Sequence, residues 1–151
     1  HQHDPVTDSG VTIGKRYGYM GSWFMDGVNG ERRMAAIGLL SRSLLGTPTS
    51  HAAFDDFRNG LYSPVANEMY FNFHATLLMY RMGGTAWQQW NTEMQDLLLP
   101  LQATAASGHA EGSWLFNGGD HNGHACGGRL YGTVTSLLCL EAYFSGLKLD
   151  Q

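Results

Sequence analysis

Apolar residues recur at helical spacing in most of the chain after residue 30 and show no helical period before it. Met34, Ile37, Leu40 and Leu44 fall close to one face, which predicts a helix over 31–45. Gly46 stops it and Pro48 follows. Ser50 is placed to cap a short helix over 51–58 that buries Phe54 and Phe57, and Asn59-Gly60 ends it. Asn67 is placed to cap a helix over 68–82 whose apolar face reads Tyr70, Phe73, Leu77 and Tyr80. Gly83-Gly84 ends that helix. Thr85 opens another over 86–106, burying Trp87, Trp90, Met94, Leu97 and Leu101, with a kink or early end at Pro100. A glycine- and histidine-rich loop over 107–128 leads to a last helix over 129–145, which Gly146 stops. The last helix is apolar almost all round (Val134, Leu137, Leu138, Cys139, Leu140, Ala142, Tyr143, Phe144), the pattern of a helix covered on every side.

The predicted architecture is all-α. Short turns join helices into antiparallel hairpins over 31–59 and 67–106. The helix over 129–145 has no partner in this count, so another chain or a second copy is expected to cover it. Residues 1–30 form a Gly-rich N-terminal segment, with a short extended piece at Val11-Thr12-Ile13, and 31–151 a helical-hairpin repeat domain.

One cassette occurs twice: a Gly-Ser-Trp turn, a Gly-rich stretch, then an apolar helix opened by arginine. The copies are Gly21-Ser22-Trp23 with Arg33, and Gly112-Ser113-Trp114 with Arg129. Repetition at long period implies stacked units, each too small to bury its own apolar face.

Charge and composition narrow the function classes. Hydrophobic residues make up 43%, enough for a packed domain, while charged residues are only 15% of the 151 positions. The net charge of −4 offers no basic footprint for nucleic acid or anionic lipid. No apolar run approaches the roughly 18 residues of a membrane span. A charge-poor, Gly-rich surface suits an extracytoplasmic or secreted protein, or one with much of its surface covered by partners. The chain opens on His1 rather than Met, so a preceding segment is expected, a cleaved signal peptide being one option.

Candidate chemistry is sparse. His109, His121, His124 and Cys126, with Asp120 nearby, combine imidazole, carboxylate and thiolate in the manner of a zinc site. The competing reading is a glycine-rich connector with solvated or capping histidines. His1-Gln2-His3 suits copper(II) if His1 is the true terminus; a disordered end is the alternative. Cys126 and Cys139 permit one bridge or two free thiols. Glu141 on the apolar helix is either a general acid or a structural ion-pair partner of Arg129 or Arg42. His74 reads as a hydrogen-bonded core histidine before it reads as a base. The tryptophans and tyrosines either line a cavity for an isoprenoid or glycan or pack the hairpins.

Leu98-Leu99-Pro100-Leu101-Gln102, followed by Gly112-Ser113-Trp114, is similar to the Gln-Trp repeat of the squalene-cyclase and prenyltransferase superfamily. Tyr70-Phe71-Asn72-Phe73-His74, Met82-Gly83-Gly84-Thr85-Ala86-Trp87, Gly108-His109 and Gly127-Gly128-Arg129-Leu130-Tyr131 resemble the planctomycete type of prenyltransferase/squalene-oxidase repeat. The resemblance implies about half of an α/α toroid of helical hairpins. It also implies that Gln102 bonds the backbone of the Gly112 turn while the Trp114 ring stacks beneath it, with Trp23 and Arg129 as the other motif positions. The Asp-x-Asp-Asp acid motif of the cyclases is absent from the sequence; the nearest pair is Asp55-Asp56. The expected function is therefore a non-catalytic helical-repeat protein for binding or assembly. The alternatives are a terpenoid cyclase- or prenyltransferase-like enzyme completed by another chain, and an extracellular metal-binding protein.

Overall fold

Glycines, Pro100 and the apolar period set the helix boundaries in the computed structural model, which describes the backbone of residues 27–116 and 124–145 and the side chains of 32–116 and 128–142. The order is α1 (Gly27–Leu44), a 3-10 turn (Ala52–Phe54), α2 (Asp55–Arg58), α3 (Met69–Met82), α4 (Gly84–Leu98), 3-10 turns at Leu99–Leu101 and Ala105–Ala110, and α5 (His124–Ser145). The protein is all-α, with no strand among the described residues. The N-terminal residues 1–26 and the extended piece proposed at Val11 lie outside the described residues. Helix α1 starts at Gly27, a turn earlier than its apolar period predicts.

Helix α3 is the hub, packed against α1, α4 and α5. This corrects its predicted face. Met69, Phe71, Asn72, Ala75, Thr76, Leu78 and Met79 are buried, whereas Tyr70, Phe73, Leu77 and Tyr80 are only half-buried. A helix covered from several directions has no single apolar stripe, so its most periodic residues are not its most buried ones. The same hub corrects the account of the last helix. Helix α5 packs on α3 and α4 through Thr135, Ser136, Cys139 and Ala142.

The two cassette helices approach α3 in the same phase. In α1, Ala36, Leu39, Leu40 and Ser43 are buried, three, six, seven and ten positions after Arg33. In α5, Gly132, Thr135, Ser136 and Cys139 are buried at the same four offsets from Arg129. The repeat is thus phased on its arginines rather than on its Gly-Ser-Trp turns.

Local chemistry sets each boundary. Ser50 does not cap the 52–58 segment: His51 Nδ1 accepts from the Ala53 amide at 3.0 Å. Asn67 does not cap α3 either. Glu68 occupies the N-cap and its carboxylate is drawn away to Arg33. Gly83, at φ +67°, turns the chain between α3 and α4, a conformation closed to most side chains, while Thr85 is exposed. Pro100 ends α4 at Leu98, and the following 3-10 turn leaves Leu101 exposed rather than buried. Gly128, at φ +51°, breaks α5, so its long part begins at Arg129.

Two clusters make the core. One gathers Ala36 and Leu39 of α1, Phe54 and Phe57, Phe71 and Leu78 of α3, and Trp87 and Trp90 of α4. The other gathers Met69, Met94, Leu98, Trp114, Phe116 and Cys139. Edge-to-face ring pairs, Phe71–Trp90 at 5.9 Å and Tyr80–Trp87 at 5.2 Å, fix α4 on α3.

A buried ion pair joins α1 to α3. Arg33 Nε donates to Glu68 Oε2 at 3.0 Å, and both side chains are 7% exposed. Arg81 closes the other end, donating through Nε to Ser43 Oγ at 3.0 Å and through Nη2 to Ser43 O at 3.2 Å. Removing one member of a buried pair leaves an uncompensated charge, which costs about 3–5 kcal/mol. Urea denaturation of Arg33→Met and of Glu68→Leu is expected to show that loss in each. The double replacement is expected to lie closer to wild type than either single; additive losses would contradict the pairing.

Candidate functional site

The residues of the second cassette converge on one turn between α4 and α5. Pro100 stops α4, and Gln102 leaves the helix in extended conformation. Ala103 and the Gly112-Ser113 segment then pair: Ala103 N donates to Ser113 O and Gly112 N to Ala103 O, both at 2.8 Å. Gln102 Nε2 donates to Gly112 O at 2.9 Å, across the same gap. Gly112 adopts φ +78°, which reverses the chain there. Ser113 Oγ accepts from Arg129 Nη1 at 2.9 Å and donates to Ala110 O.

Trp114 is the anchor. Its ring is buried, its Nε1 donates to Leu98 O at 2.7 Å, and its backbone N donates to Thr133 Oγ1 at 3.1 Å. The first bond satisfies a carbonyl freed by the end of α4, and the second holds the turn on α5. Gly132 makes the approach possible: a Cβ there would lie 2.8 Å from Trp114 O and 3.1 Å from the Phe116 ring. The polar groups named here bond to one another, to Leu98 of α4 and to Thr133 and Arg129 of α5, so the turn joins two helices.

The proposed metal ligands are not brought together among the described side chains. His109 is exposed in the 3-10 segment Ala105–Ala110. His124 and Cys126 lie in the first turn of α5, with side chains outside the described residues, and His121 and Asp120 are outside altogether. No group of three His, Cys, Asp or Glu side chains that could hold a metal occurs among the described residues. Trp23, His1 and His3 lie outside them too.

Glu141, Cys139 and His74 sit in three different settings. Glu141 is exposed, not buried as its apolar helix predicted, because it lies on the side of α5 away from α3. Cys139 is a free, buried thiol, so it forms no bridge to Cys126. Burial pushes its pKa up to about 12, against a hydrogen bond with the Thr76 side chain. Such a thiol stays protonated and unreactive at neutral pH. Thr76 Oγ1 also accepts from Trp90 Nε1 at 3.0 Å, so α3, α4 and α5 meet at one hydroxyl. His74 is half-buried, its Nδ1 2.8 Å from Tyr70 O, and burial holds its pKa below the ordinary value. A shallow cleft over Phe57, Arg58, Tyr62, Gln89, Trp90 and Glu93 encloses about 210 Å³, including space open to solvent.

Several residues that organise this region carry no sequence signal beyond being polar on apolar helices: Glu68, Asn72 and Thr76. Asn72 is fully buried and clamps the incoming chain, accepting from Val65 N at 3.0 Å and donating to Val65 O at 2.8 Å. Comparison with family models, with curated proteins and with solved structures finds no match to this chain.

Two outcomes follow from this geometry. In Gly132→Ala the new methyl meets a backbone oxygen that cannot rotate away. Overpacking of about 3 kcal/mol exceeds the gain of about 1 kcal/mol for alanine over glycine in a helix, so a net loss of about 2 kcal/mol is expected by denaturant titration. For His74 the folded pKa is depressed, so the unfolded chain takes up protons first as pH falls. Its contribution is present above pH 6.5 and is lost as pH falls through the folded pKa. Thermal midpoints are expected to drop over that acid range and to drop less in His74→Gln; identical pH profiles would refute the assignment.

Proposed function

We propose that this chain is a helical-repeat module that works by binding and assembly, built of hairpins like those of an α/α toroid, with the outer face of α5 as its contact surface. One observation carries the reading. Leu130 is 76% exposed, Val134 45%, Leu137 42% and Leu138 42%, all on α5, whose opposite side is packed into the core. A contiguous exposed apolar strip on a packed helix marks a protein contact more often than a solvated surface. The Gly112-Ser113-Trp114 turn supports it, since Gln102, Trp114 and Arg129 are engaged in holding α5 in place. A rigidly mounted helix is a suitable platform for a partner.

The test is chemical cross-linking in the cells that make the protein, comparing wild type with Leu137→Glu. An unpaired carboxylate placed in an apolar contact costs at least about 1.4 kcal/mol, or tenfold in affinity. Cross-linked complex is expected to fall by about tenfold while helix content by circular dichroism is unchanged. An unchanged complex, or turnover of an isoprenoid substrate by the chain alone, would overturn the reading.

A further inference from the structure

The two cassette helices meet α3 in the same phase but are not fastened to it in the same way. Ten positions after its arginine, α1 presents Ser43, which accepts two hydrogen bonds from the Arg81 guanidinium. With Arg33 held by Glu68, α1 is secured at both ends. Ten positions after Arg129, α5 presents Cys139, whose thiol shares a hydrogen bond with the Thr76 side chain of α3. A thiol is a weak hydrogen-bonding group, whereas bonds from a guanidinium are strong. Beside it, Ser136 is fully buried and its Oγ has no hydrogen-bond partner. Apolar contact on this half comes from Cys139, Ala142 and half-buried Leu140, while Leu137 and Leu138 already face solvent.

The attachments of α5 to the Trp114 turn fall in its first turns: Arg129 to Ser113, Thr133 to the Trp114 backbone N, and Gly132 against Trp114 O. Between the two halves the helix itself is weak. Gly132 is a glycine in the helix interior, and the Thr135 hydroxyl bonds back to Tyr131 O at 2.7 Å and Gly132 O at 3.3 Å. Interior glycine destabilises a helix, and back-bonding of this kind bends it. We propose that the far half of α5, residues 136–145, is a latch over α3: it pivots outward at Gly132–Thr135 while the first turns stay on the Trp114 joint and the other helices remain packed. Opening bares the Cys139 thiol and the Thr76 side of α3; closing buries both again. The mounting that makes α5 a contact platform acts on its first turns, with Leu130 and Val134, and is kept in both positions.

Cys139 reports the opening, because a buried, protonated thiol is inert while the latch is closed. In a Cys126→Ser background, which leaves Cys139 as the sole cysteine, alkylation by iodoacetamide at about pH 8.5 is expected to proceed without global unfolding. Its rate is expected to rise with urea on a slope less than about half that of the global transition followed by tryptophan fluorescence. Ser136→Ala, which removes the unpartnered hydroxyl, is expected to slow alkylation about tenfold. Arg33→Met is expected to lower the urea midpoint of the whole fold and to leave alkylation without urea unchanged. Thr133→Val is expected to leave alkylation unchanged as well, since the joint stays closed in both positions. Alkylation that tracks global unfolding in urea, or that rises in step with the loss of stability in Arg33→Met, would overturn the latch. A tenfold rise in Thr133→Val would show that all of α5 detaches, and would overturn the pivot.

Discussion

Everything in this fold answers to the burial of α3. A helix enclosed by three others cannot leave a polar group unpaired without a penalty of about 1–3 kcal/mol for each. Its polar side chains therefore define the contacts that are allowed. Asn72 fixes the path of the chain entering the helix, Glu68 requires Arg33 from α1, and Thr76 accepts a hydrogen bond from Trp90 of α4 and shares another with Cys139 of α5. Apolar burial supplies most of the driving force, but it is tolerant of sliding; hydrogen-bonded groups are not. The register of each neighbouring helix on α3 is set by these few polar contacts.

The repeated cassette shows how one local pattern serves two mechanical ends. Both cassette helices present the same offsets from their arginine to α3, yet the arginines differ in setting. Arg33 is buried and neutralised by Glu68, whereas Arg129 lies at the surface and holds the serine of its own turn. The difference follows from position. Helix α1 is tied to α3 by a charge pair, while α5 is tied to α4 through Trp114 and the carbonyl of Leu98. Gly132 adds a steric condition, because only a hydrogen at that position lets the Trp114 backbone lie against α5.

Much of the helical outline is legible in the sequence because it depends on local rules. Gly83 and Pro100 act within a turn or two of themselves, and the structure ends helices at both. The caps are less legible. Asn67 and Ser50 are good capping residues, but Glu68 and His51 hold those positions, and in the case of Glu68 a distant arginine decides the use of its side chain. The face of α3 is misread for a related reason: period identifies a stripe only when one side is covered. Glu141 and Leu101 are assigned the wrong environment because burial depends on where a helix ends and what lies beside it. Of the motif positions, Gln102, Gly112, Trp114 and Arg129 are visible as a pattern, but Thr133 and Gly132, which receive the turn, have no signature apart from the helix they sit on. The proposed histidine and cysteine ligands after Phe116 fall mostly outside the described residues.

The separations of these contacts along the chain set an order of assembly. The Trp90–Thr76 bond spans 14 residues and the Trp114–Leu98 bond 16, so α3, α4 and the turn can form early from neighbouring sequence. Arg33–Glu68 spans 35 and requires a larger closure. Helix α5 is made last and seals the remaining side of α3. The side of α3 that α5 covers has no such cover until residues as late as Ala142 have been synthesised. Over that interval the apolar surface that α5 will cover is open to water, and the last helix acts as the closing step of the fold.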